Sequence, residues 1–122
     1  MKKLPDEKEI NNWKLTENFN LKEFECPCCN RVMIHPRLVR ILQLVREHLG
    51  RPVKINSGFR CDRHNNYIGG SEFSRHLIGE AVDVTVVSDK YAKEFIDMLM
   101  EYQEDVKYKY HEHMAYIHVE LK

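Results

Sequence analysis

The chain has 122 residues, 43% hydrophobic and 31% charged, which suits one compact domain. Its 19 Lys and Arg balance 19 Asp and Glu, so no global field points to nucleic acid or an anionic membrane. No run approaches the ~20 apolar residues of a membrane span. Pro5, Asp6 and Glu7 stand where a signal peptide would carry its apolar core.

Residues 1–14 read as a flexible polar arm and 15–122 as the folded domain. The stretch 21–24 predicts a short helical turn, capped by Thr16 or Asn18. Pro36 opens the clearest helix. Leu38, Ile41, Leu42, Val45 and Leu49 fall at helical spacing, and Gly50 marks the stop. Residues 53–56 read as a short strand, and 57–70 as a polar loop ending in Gly69-Gly70. The segment 74–80 reads as a loop or helical turn. Residues 81–87 are β-branched and apolar, which predicts a buried strand. Ser88 or Asp89 caps a second helix, with Tyr91, Phe95, Met98, Leu99 and Tyr102 facing inward. Strand-like runs follow at 106–110 and 115–121. Helices and strands mix without regular βαβ alternation. That favours an α+β domain, a small antiparallel sheet with helices packed on it.

Within this frame His76 and Asp83 are seven positions apart. Asp83 interrupts an apolar strand, where a carboxylate is costly unless paired or bound to a cation. Zinc takes His nitrogen and Asp oxygen, and a catalytic zinc keeps three protein ligands. The alternative pairs Asp83 with an arginine and leaves His76 at the surface. Alternation along the last strand puts Tyr116, His118 and Glu120 on one face, with Ile117 and Val119 on the other. His118 is thus a third candidate ligand among the seven histidines.

The run Ser74 to Asp83, Ser-x-His-x-x-Gly-x-Ala-x-Asp, resembles the signature of the zinc D-Ala-D-Ala carboxypeptidase family. Ile55-Asn56-Ser57-Gly58-Phe59-Arg60 is similar to that family's Ser-Gly-Tyr/Phe-Arg segment. Cys61, His64-Asn65 and Ile68-Gly69-Gly70 extend the likeness, and Tyr116 to Glu120 is similar to its apolar-x-His-Val-Asp ending. Phe24-Glu25-Cys26 and the Pro36 helix resemble the small single-domain form of bacteria and phages. The resemblance implies the hedgehog/D-Ala-D-Ala-peptidase fold and zinc ligands at His76, Asp83 and His118. It implies a peptidoglycan substrate, a peptide bond of the stem peptide or cross-bridge. The activity would be that of a D,D-carboxypeptidase or an endopeptidase, as in phage endolysin or tail proteins. Arg60 matches a residue that in relatives binds substrate or stabilises charge; its alternative is an ion pair with Asp83 or Glu80. Ser74 either binds substrate or shapes its turn. Tyr116 faces the metal side as an oxyanion donor. Gly79 and Ala81 are small, which lets the backbone pass close to the metal.

The resemblance breaks at the general base. Relatives place a Glu or Asp three residues before the last ligand, here Ala115, or a His two before it, here Tyr116. His113 is the remaining candidate, with His111 and Glu112 beside it; the alternative is a solvated turn. Cys26, Cys28, Cys29 and Cys61 form either a second, structural zinc site, disulfides, or packed free thiols. The rival to an enzyme is a zinc-stabilised binding domain of the same fold, favoured by Ala115. A nucleic-acid-binding zinc finger is disfavoured by the neutral charge. The expected protein is a monomer without nucleic-acid or membrane partners. It stays cytoplasmic until released, or reaches the wall by a phage-type route.

Overall fold

Two sequence signals frame the longest element. The computed structural model describes residues 10–122, and in it Pro36–Leu49 forms helix α1. His35 caps it, its Nδ1 accepting from the Arg37 N–H at 3.1 Å, and Gly50 closes it in the left-handed conformation at φ 68°. Leu38, Ile41, Leu42 and Val45 of the predicted stripe are buried, with Val39 beside them, while Leu49 is half-buried. Ser88 caps helix α3, Asp89–Leu99, accepting from the Tyr91 N–H at 3.1 Å. Tyr91, Ala92, Phe95 and Leu99 form its buried side. The two long helices pack against each other.

Four strands make one antiparallel sheet in the order β1-β2-β4-β3: β1 is Ile55–Ser57, β2 Ala81–Thr85, β3 Val106–His111 and β4 Tyr116–Leu121. Val82 and Val84 pair with Val119 and Ile117. All four enter the core with the helices. Burial alternates along β4 as expected, Ile117, Val119 and Leu121 being buried. The opposite face therefore carries Asp83 and His118, which are direct cross-strand partners. The register extends this row to Ser57 on one side and Lys109 on the other.

Several expectations change. Residues 57–70 are not all loop, because Asp62–Tyr67 forms a short helix, α2, capped by the Cys61 sulfur. The first strand runs over Ile55–Ser57 rather than 53–56, and its pairing to β2 includes a bulge between Ile55 and Ser57. The turn Leu21–Phe24 is capped by Asn20 in a capping box with Glu23. Thr16 and Asn18 instead bind the buried Gln43 of α1, Thr16 Oγ1 lying 2.7 Å from its Oε1. Of the arm read over 1–14, residues 1–9 lie outside the described residues. Residues 11–14 are tied down: the Leu21 N–H donates to the Trp13 carbonyl at 2.7 Å, and Lys14 bridges Asn20. Among the described residues no helix is long and apolar enough to cross a membrane.

Gly79 also has a different reason from the one expected. Its φ of 71° is left-handed, and a Cβ there would stand 2.5 Å from the Met33 carbonyl oxygen. The glycine lets the chain turn beside Met33, between His76 and Asp83.

Candidate metal centre

Asp83 is 4% exposed, inside an otherwise apolar strand. Such a carboxylate needs partners, and the fold supplies three. His76 Nε2 approaches Asp83 Oδ1 at 3.2 Å, and His118 Nδ1 approaches the same oxygen at 2.9 Å. Arg60 donates through Nη2 to Oδ2 at 3.1 Å. Each partner comes from a different element. His76 lies on the 3-10 turn Arg75–Ile78, which Ser74 caps by accepting the His76 N–H at 3.2 Å. His118 comes from β4, and Arg60 from the segment between β1 and α2.

The outer contacts orient the rings. His76 Nδ1 donates to the Gly58 carbonyl at 2.7 Å, since a carbonyl only accepts. That leaves Nε2 as the nitrogen facing Asp83. His118 meets carboxylates at both nitrogens, with Glu120 Oε1 2.9 Å from Nε2. Glu120 is held in turn by Arg75 and Lys107, at 3.7 and 3.8 Å. Burial raises the Asp83 pKa, but hydrogen bonds from His118 and His76 outweigh it and hold the carboxyl far below the usual range. Burial works to lower the His118 pKa, yet its bonds to Asp83 and Glu120 leave it raised. Tyr116 stays a phenol, its pKa pushed up by burial and then by the Asp83 charge.

This donor set fits a divalent cation. A neutral His76 ring would aim a lone pair at an ionised carboxylate, and a shared cation removes that conflict. One ligand atom each from His76, Asp83 and His118 lies within 4.8 Å of the others. Two imidazoles and one carboxylate make the three-ligand set of a catalytic zinc, with a fourth position left for water or substrate. The carboxylate behind His118 and the carbonyl behind His76 are the outer contacts such ligands require.

Arg60 does form the ion pair with Asp83 that stood as its alternative reading. Its Nε also donates to Ser57 Oγ at 3.1 Å and its Nη1 to Asn65 Oδ1 at 3.4 Å. Three of its five N–H groups are thus used among the described residues. Two clefts flank the site, of about 490 and 520 Å³, and Arg60, Asp83 and Tyr116 line both. Ser74, Arg75, Lys107, Lys109 and His111 line the first. Glu23 and Glu25 line the second. His113 lines neither. It sits on the exposed turn Glu112–Met114, beyond the end of β3, while His111 stacks on Tyr116 at 4.4 Å.

The sequence reading missed Glu120 and Asn65 as positioning residues. Glu120 carries a readable signal, two places after His118 on the same strand face. Asn65 stands in the sequence only as part of the His64-Asn65 likeness, and its contacts depend on the fold of α2. It is 1% exposed, donates to the Ser71 carbonyl at 2.8 Å and accepts from Arg60.

A second group also converges. Cys26, Cys28, Cys29 and Cys61 are free, and their sulfurs lie within 4.8 Å of one another. The Cys28 thiol, hydrogen-bonded to Cys61, is pushed up to about 12. The His64 N–H chiefly holds Cys61 down at about 6.

No curated protein matches this chain. In fold it is similar to the crystal structure of the L-Ala D-Glu endopeptidase ChiX of Serratia marcescens. The TM-score is 0.56 at 23% identity, covering 73% of this chain and 80% of that one. The peptidase M15 family profile matches residues 17–120, and the chain belongs to that family.

Proposed function

We propose that the chain is a zinc peptidase that hydrolyses a peptide bond within the stem peptide or cross-bridge of peptidoglycan. The observation that carries the endopeptidase form is the pair of clefts meeting at Arg60, Asp83 and Tyr116. An open site with room on both sides suits a bond inside a peptide better than one at its end. The charges differ across it, with Arg75, Lys107 and Lys109 on one side and Glu23 and Glu25 on the other. Peptides bearing free carboxylates and an amine match that polarity. The similar fold, described as an L-Ala D-Glu endopeptidase, adds support for such a substrate.

His76, Asp83 and His118 would hold the metal. The chemistry it supplies when bound is Lewis-acid activation of the scissile carbonyl and of water. The remaining N–H groups of Arg60 and the Tyr116 hydroxyl donate to the carbonyl oxygen as negative charge develops there. Ser74 Oγ accepts from His76 and keeps its own hydrogen for a substrate carbonyl. His111 takes a proton from the attacking water at a ring nitrogen. It returns that proton to the amine nitrogen as the C–N bond breaks. It takes the role that sequence offsets alone assigned to His113, because alternation puts Lys107, Lys109 and His111 on the cleft side of β3.

Purified peptidoglycan incubated with zinc-loaded protein tests this reading. New amino groups should appear on peptide fragments, and chelator should stop their release. His111→Ala should lower the rate about 10²-fold or more, and His113→Ala should leave it near wild type. Release of free alanine alone would instead identify a carboxypeptidase. If the zinc-loaded protein releases no amino groups, the domain binds without cleaving and the proposal fails.

A further inference from the structure

We propose that Cys26, Cys28, Cys29 and Cys61 hold a second, structural zinc ion as four thiolates, and that this ion positions Arg60 and His76. The sulfur geometry carries the inference. Cys26 and Cys28 are 3.7 Å apart, Cys26 and Cys61 3.6 Å, and Cys28 and Cys61 3.2 Å. A tetrahedral zinc with arms of ~2.3 Å has sulfur–sulfur edges of about 3.8 Å. Four thiolates complete that coordination and leave no open position, which is the structural type of site.

The chain is shaped to bring neighbouring cysteines inward. Between Cys26 and Arg31 it reverses tightly: the Asn30 N–H donates to the Cys26 carbonyl and the Cys26 N–H to the Arg31 carbonyl, both at 2.8 Å. Asn30 adopts the left-handed conformation at φ 61°. The turn lets Cys28 and Cys29 both reach the cluster although they are adjacent. Outer donors face the sulfurs as well. Arg31 Nε donates to Cys29 Sγ at 3.4 Å, and the His64 N–H to Cys61 Sγ at 3.4 Å. They offset the negative charge four thiolates bring to one ion.

The fold has a use for the ion here. Cys26, Phe59 and Cys61 form a small buried cluster separate from the main core. So little apolar area holds a loop weakly, and a metal that crosslinks two segments supplies the missing free energy. The segment it fixes leads into the peptidase site. Cys61 follows Arg60 directly. Gly58, three residues before Cys61, orients His76, and the Arg60 N–H donates to the His76 carbonyl at 3.2 Å. Gly58 itself passes so close to Phe24 that a Cβ would lie 2.6 Å from its Cα. Small shifts of this segment therefore move both Arg60 and His76.

This site does not depend on the peptidase reading, and its test separates the two. The full chain carrying His76→Ala and His118→Ala is purified with zinc, and its metal is counted by mass spectrometry. About one zinc per chain should remain. Its four thiols should resist a thiol reagent until chelator and denaturant are added together. Cobalt-loaded wild type should show the intense sulfur-to-cobalt charge-transfer absorption that imidazole and carboxylate ligands do not produce. A folded double variant without zinc overturns the proposal. So does a mass deficit from disulfides, or cobalt-loaded wild type without thiolate bands. The cobalt spectrum decides the matter if the double variant does not fold.

Discussion

Replacing His118 by alanine is expected to lower peptide-bond hydrolysis on the order of 10³-fold or more. A catalytic metal lowers the barrier by several kcal/mol, and each ~1.4 kcal/mol is a factor of ten in rate. Without His118 the three-ligand set becomes two, and the ion is no longer held at the cleft. The fold should survive. The His118 side chain is 22% exposed, and its partners keep other contacts, Asp83 to Arg60 and Glu120 to Arg75 and Lys107. Circular dichroism should match wild type while turnover of a peptidoglycan peptide is lost. Wild-type turnover in the variant, after chelator treatment, would remove the metal from the mechanism.

Arg60→Lys is expected to cost about 10²-fold or more in kcat/KM, the size of effect seen when one oxyanion donor is removed. Lysine keeps the charge but loses the planar fork. The fork binds Ser57, Asn65 and Asp83 together, at 3.1, 3.4 and 3.1 Å. A lysine in its place cannot hold Asp83 and face substrate in one fixed geometry. The effect has two separable parts. Looser Asp83 shows as weaker zinc binding, and excess zinc rescues it. Lost stabilisation of the developing charge persists at saturating zinc, and the larger part of the loss should lie there. Full rescue by zinc would make Arg60 a positioning residue for Asp83 alone.

Much of this architecture is legible in the chain. Pro36, Gly50 and the stripe from Leu38 to Val45 announce α1. Alternation in 116–121 places His118 opposite the core residues Ile117 and Val119. The metal triad itself needed more than spacing. His76 and Asp83 at seven positions suggest a site only weakly, and the ordered motifs around them made the suggestion specific. The structure then adds a single oxygen, Asp83 Oδ1, approached by both histidines.

What the sequence hid has a common cause. Helix α2 has no apolar stripe, because Asp62 to Asn66 are all polar, and its caps at Cys61 and Ile68 and the buried Asn65 help hold it. Arg60 as the Asp83 partner stood only as one alternative beside Glu80, and the fold decides it by bringing Nη2 to 3.1 Å from Asp83 Oδ2. The base was sought by offset from His118 along β4. The neighbouring strand β3 lines the same cleft, and the proposed base, His111, lies there, paired with Tyr116 across the turn. The left-handed Asn30 turn beside the converging Cys26, Cys28, Cys29 and Cys61 is likewise visible only in three dimensions.

Hydrolysis as proposed requires an ion held by His76, Asp83 and His118. Crystals of zinc-loaded protein measured on both sides of the zinc absorption edge test it. An anomalous peak should lie within coordination distance of His76 Nε2, Asp83 Oδ1 and His118 Nδ1, facing the clefts. A map with no peak there, from protein that cleaves peptidoglycan, would contradict it.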